Sequence, residues 1–174
     1  MLCVYKQSVN EKRRNLIEIK IEQCLVINLP AEKIFDNLAD VENWVEWSSV
    51  VIAVRKTAPG IISVGATWRC TTRFLGRWLE TTYELVEHEP SHFFTLKSIS
   101  GLCPAIFSYR LEEIESGRTN VSVEAVIHHV EGMLGLEELV VVSAVRRQME
   151  GDLQTLRDIL EARTTITSSS TSGK

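Results

Sequence analysis

The feature that most constrains this chain is one long amphipathic helix, placed at the end of a sequence otherwise written for strands. Between Gly135 and Arg163, Val142, Val145, Met149, Leu153, Leu156 and Leu160 recur at spacings of three and four. That spacing stacks them on one face of an α-helix. Arg147, Glu150, Gln154, Asp158 and Glu161 fall on the other side. At about 1.5 Å of rise per residue the helix spans roughly 40 Å, enough to cross a small domain. Its apolar stripe has to be buried, so the rest of the chain must supply a surface of matching length.

The preceding residues supply a sheet. In Leu16 to Leu29, Ile17, Ile19, Ile21, Leu25 and Ile27 alternate with Glu18, Lys20 and Glu22, the pattern of a half-buried strand. Pro30 ends it and suits the first position of a short helix, Ala31–Ala39, with Ile34, Phe35 and Leu38 as its stripe. Asp40 is expected to cap a second short helix, Val41–Trp47, on which Trp44 and Trp47 share a side. Six further strands are expected over Val50–Lys56, Ala66–Leu75, Trp78–Glu87, His92–Ser100, Ala105–Glu115 and Thr119–Val130. Short turns built on glycine, proline and serine separate most of them, which demands antiparallel pairing. The expectation is an α+β domain over residues 16–163: a curved, antiparallel, seven-stranded sheet wrapped around the terminal helix, with two short helices after the first strand. Residues 1–15 read as a flexible lead-in, and the Ser/Thr-rich residues 164–174 as a disordered tail.

Composition narrows the function classes. The 174 residues suit one domain, and a net charge of −4 with no Lys/Arg run among aromatics argues against a nucleic-acid partner. No stretch approaches the roughly 20 apolar residues of a membrane span, so no stable membrane insertion is expected. Met1 to Asn15 lacks the apolar segment of a signal peptide, which makes a cytoplasmic location the expectation. Cys3, Cys24, Cys70 and Cys103 lie far apart without a CxxC pair, a distribution of reduced, packed thiols rather than of a zinc site.

Certain segments resemble a known superfamily. They are Leu29-Pro30-Ala31-Glu32-Lys33-Ile34-Phe35, Leu38-Ala39-Asp40-Val41-Glu42-Asn43-Trp44-Val45-Glu46-Trp47, Val64-Gly65-Ala66-Thr67-Trp68, the turn Leu75-Gly76-Arg77, and the terminal helix. Together, over roughly residues 16 to 162, they resemble the helix-grip superfamily (SRPBCC) of START lipid-transfer domains, birch-pollen-allergen-like (Bet v 1-like) proteins and polyketide cyclases. The likeness is closest to the bacterial polyketide cyclase/dehydrase-like group. The resemblance implies the helix-grip fold. It leaves function open, because the superfamily holds carriers, receptors and cyclases.

Residue chemistry adds few sites. His128 and His129 alternate across a strand and so cannot share one ion as neighbours, while His88 and His92 flank a turn with no Asp or Cys beside them. Neither a metal nor a cofactor is indicated. Cys70 and Cys103 would need an activating base to serve as nucleophiles. Glu80 and Glu84 face Arg69 and Arg73 on the expected partner strand, the look of a solvated ladder. No catalytic residue is assigned.

Alternation makes Trp68, Cys70, Phe94, Leu96, Ser98, Phe107, Tyr109, Val123 and Ala125 the inward set, faced by Val145 and Met149 from the helix. Tyr83 is expected to join them, with Trp44 and Trp47 at the mouth. These fourteen residues are the candidate cavity lining. Three functions remain: binding or transport of a hydrophobic or amphipathic small molecule (a lipid, polyketide or aromatic metabolite), a cyclase/dehydratase-like enzyme on the same scaffold, or a protein-interaction module with a filled core. Gly151, Leu136 and Val140 lie off the helix stripe, where a homodimer contact is a candidate.

Overall fold

A computed structural model describes residues 16–130 and 137–170 of the chain. The lead-in of residues 1–15, Leu136, and the side chains of Ile17 and His129 lie outside the described residues. Strand β1 (Leu16–Ile27) is followed by helix α1 (Ala31–Ala39), a 3₁₀ turn (Val41–Asn43) and helix α2 (Trp44–Trp47). Strands β2 (Val51–Lys56), β3 (Thr67–Phe74), β4 (Arg77–Glu89), β5 (Phe93–Ser100), β6 (Ala105–Glu115) and β7 (Arg118–Val130) come next, and helix α3 (Glu138–Ser170) closes the fold. The seven strands form one sheet in the order β1-β7-β6-β5-β4-β3-β2, with every neighbouring pair antiparallel.

The local causes match the sequence closely. Pro30 stands one position earlier than expected, as the N-cap of α1, and its carbonyl accepts from the Lys33 and Ile34 amides. Asp40 caps the next segment by accepting from the Glu42 amide at 3.2 Å. That segment starts as a 3₁₀ turn and becomes α-helical only at Trp44. The Trp44 indole donates to the Leu38 carbonyl at 2.8 Å, which fixes the elbow between α1 and α2.

At its far end, α3 continues past Arg163 to Ser170, where a tail was expected from Thr164. The hydroxyls of Thr164 and Thr165 donate back to the carbonyls of Leu160 and Glu161 at 3.1 and 3.0 Å, an arrangement open to threonine inside a helix. Asn28 ties β1 to this helix by donating its backbone N–H and side-chain amide to Glu161 Oε1 at 2.8 and 2.9 Å.

The core lies between the concave sheet face and α3. Ile19, Ile21 and Ile27 of β1 and Val121, Val123 and Ala125 of β7 are buried there, with Val142, Val145, Met149, Leu153, Leu156 and Leu160 of α3 above them. Helix α1 plugs one end through Ile34, Phe35 and Leu38. From there the aromatic rings form a continuous chain. Phe35 meets Phe94 edge-on at 5.6 Å, Phe94 stacks on Tyr109 at 4.8 Å, and Tyr109 meets Trp44 at 5.7 Å. Among the described residues, no helix is long and apolar enough to cross a membrane.

Candidate functional site

The aromatic chain fills the α1 end of the space under α3 and leaves the other end open. There, between α2, α3 and strands β3, β4, β6 and β7, lies a cavity of about 150 Å³. Of the residues expected to line it, Trp44, Trp47, Cys70, Tyr83, Phe107, Tyr109, Val123, Val145 and Met149 do so. Tyr83 reaches the inner face because β4 pairs it with Trp68 on one side and Ser98 on the other, beside a register shift.

Trp68, Phe94, Leu96, Ser98 and Ala125 do not line the cavity. Each points inward but is consumed by a neighbour. Phe94 is held between Phe35 and Tyr109, so both of its faces meet protein. Trp68 and Leu96 are wholly buried in packed parts of the sheet. Ala125 sits between Ile21 and Phe107 in the register and is too short to rise past them. The Ser98 hydroxyl accepts from the Ala105 amide at 2.7 Å and so closes the β5–β6 connection.

The charged candidates are outside. The β3–β4 register sets Arg69 against Thr82 and Arg73 against Trp78, so Glu80 and Glu84 lie diagonal to the arginines rather than opposite them. Arg69, Arg73 and Glu80 face solvent and Glu84 is half-buried. Of the histidines, His88 packs on the Phe35 ring at 5.4 Å. A register shift between Leu85 and Glu87 turns its face inward. His92 instead contacts the Pro90 carbonyl through Nδ1 at 2.9 Å. The two histidines thus have separate partners.

The polar group that matters most was missed by the sequence reading. Asp152 of α3 is 4% exposed and lines the cavity. Its Oδ1 accepts from the Ser49 amide at 2.8 Å. Its Oδ2 accepts from the Ser48 hydroxyl at 2.9 Å and the Gln148 side-chain amide at 2.8 Å. The signal was present: Asp152 lies three residues after Met149 and four before Leu156, within the apolar stripe. A carboxylate there must find donors, and the α2–β2 connection provides two of them and Gln148 of α3 the third.

Burial sets the acidity of the other cavity groups. It pushes the Cys70 thiol up to about 12 and raises Cys103 as well. Tyr109 is raised by burial first, then by the nearby Asp152 charge and by Tyr83. Tyr83 is raised by burial and by Cys70, against a hydrogen bond with Thr81 that works the other way. All four therefore stay protonated at neutral pH, as hydrogen-bond donors rather than bases.

Outside the cavity, an open groove runs along α3 past Leu139, Val140, Ser143, Arg147 and Gly151. It shares Val50, Phe74, Gln148 and Asp152 with the cavity lining, so these four residues form a common wall.

Known proteins share this architecture. The sequence model of the family described as polyketide cyclase / dehydrase and lipid transport matches residues 18–161. The chain belongs to that family. Its helix-grip fold is that of the Zhui aromatase/cyclase from Streptomyces sp. R1128, with a TM-score of 0.71 at 16% identity over 84% of this chain and 96% of that one. A START superfamily protein from Mycobacterium smegmatis is similar at a TM-score of 0.70 and 12% identity, over 82% of this chain and 97% of that one. A search of curated protein sequences finds no significant match. The cavity lies on the concave side of the sheet, against α3.

Proposed function

We propose that the protein binds a hydrophobic or amphipathic small molecule in the cavity between the sheet and α3. The observation that carries this reading is the cavity itself: about 150 Å³ walled chiefly by apolar and aromatic side chains. Burial of apolar ligand surface, at roughly 25 cal/mol per Å² before the costs of association, supplies the affinity. Tyr83, Tyr109 and Thr81 supply polar contacts that orient the ligand. Lipids, polyketides and aromatic metabolites are the classes in view, in keeping with the family's description. The setting proposed for this role is the cytoplasm.

A second reading, a cyclase/dehydratase-like enzyme, is favoured by Asp152 standing in the same cavity as two tyrosines. Against it, both Asp152 oxygens are engaged by donors, and the phenols hold their protons. A proton-transfer role needs a group poised near the working pH, so binding is the reading preferred.

The test is native mass spectrometry on protein purified from its own host, followed by organic extraction. A stoichiometric small molecule is the expected result. Protein that is empty and takes up no neutral environment-sensitive dye would overturn the binding reading and shift weight to a surface-interaction role.

A further inference from the structure

We propose, building on the binding reading above, that the cavity selects an uncharged one- or two-ring compound bearing a hydrogen-bonding oxygen, and discriminates against carboxylates and long-chain lipids. Size is the first argument. The cavity offers about 150 Å³. A space of that order takes a benzene-sized guest, whereas pockets for larger ligands run from roughly 300 Å³ upward. An extended acyl chain exceeds that volume.

Charge is the second argument. Asp152 is the one ionisable carboxyl, lysine, arginine or histidine among the described lining residues. Arg146 and Arg147 of the same helix stand outside that lining. Ser48, Ser49 and Gln148 donate to Asp152 and hold it in place. A ligand carboxylate would lose its water and meet a fixed like charge with no cation in the wall to offset it. A ligand ammonium is attracted by Asp152, but it too loses its water on entering, and that desolvation offsets the attraction.

Tyr109 supplies the third argument. It is 6% exposed and lines the cavity, and its ring is fixed by Phe94 and Trp44. Its hydroxyl makes no hydrogen bond to a described residue and is not sealed in the packed core, so it faces the cavity space. An O–H that faces the cavity can donate to an acceptor on the guest, such as a ketone, phenol or ether oxygen.

Calorimetric titration of the full chain with 2-naphthol, naphthalene, 2-naphthoate, 2-naphthylmethylamine and oleate tests the selection. Naphthol is expected to bind at least about tenfold more tightly than naphthoate, a gap of the size that one unfavourable buried charge contact produces. It should also bind more tightly than the amine, and oleate should give no saturable binding. Asp152→Asn should narrow the naphthol–naphthoate gap. Tyr109→Phe, which keeps the ring packing, should weaken naphthol while leaving naphthalene unchanged, and this arm stands even where Asp152→Asn does not fold. Naphthoate, amine or oleate binding as tightly as naphthol would overturn the selectivity and leave the pocket intact. Heat from none of the five, together with an empty protein by native mass spectrometry, would overturn the binding reading itself.

Discussion

At the residue scale, Asp152 and Cys70 behave oppositely although both line the cavity. Asp152 is buried with three donors around it, so its removal leaves the Ser49 amide and the Ser48 and Gln148 side chains short of a partner. Asp152→Ala should cost about 2 kcal/mol in urea unfolding and Asp152→Asn about half of that, since hydrogen bonds to a charged acceptor are worth roughly 1.5–3 kcal/mol. Cys70 has no such company, and burial alone lifts its thiol from 9.0 to about 12. The folded state therefore holds a proton that the unfolded chain releases above pH 9. The stability this confers is complete below pH 9 and is lost as the pH rises towards 12. Tyr83 and Tyr109, also raised, add to the same alkaline loss. A chemical-denaturation series from pH 8 to 11 should show stability falling, with a shallower fall in Cys70→Ala. Alkylation at pH 8 should modify half-buried Cys103 before Cys70, and a bound guest should slow both.

At the element scale, two glycines separate constraint from tolerance. Gly101 follows β5 at φ 121°, and a Cβ there would meet Thr81 Oγ1 at 2.8 Å and the Glu80 carbonyl at 3.0 Å. Gly101→Ala should therefore destabilise the protein, by about 1–3 kcal/mol for backbone strain of this kind, and disturb the Thr81 wall of the cavity. Gly151 lies inside α3 with nothing within 4 Å of an added Cβ. Gly151→Ala should stabilise by up to about 1 kcal/mol through helix propensity alone. Thermal melts of the two variants, moving in opposite directions, check both. The sequence showed these elements well because periodicity reports which side of each one is buried. Its errors lie at their ends. The Thr164–Ser170 stretch is poor in apolar residues and carries no packing signal, yet threonine back-bonding to α3 carbonyls continues the helix. Likewise Val41–Asn43 has the composition of a helix start but is tightened into a 3₁₀ turn, with its cap on Asp40.

At the scale of the whole molecule, the cavity is what remains after two short helices and one aromatic chain have filled their end of the sheet. Val145 faces this space from α3. Val145→Phe should occupy much of it at a stability cost of about 1 kcal/mol, the mild end of overpacking because a void receives the ring. Calorimetric titration should then show guest binding abolished while far-ultraviolet circular dichroism stays unchanged; retained binding would place the site elsewhere. By itself the sequence determined the kind, order and pairing sense of the elements and the direction most side chains face. Those properties are set by neighbours a few residues apart and by short turns. Only the tertiary structure decided which inward residues meet empty space. Phe94 and Tyr109 belong to equivalent strand faces, yet Phe35 reaches over the first and leaves the hydroxyl of the second open. A cavity is a small difference between the volume enclosed by the sheet and the volume of everything packed into it, and that difference depends on contacts between residues far apart in the chain.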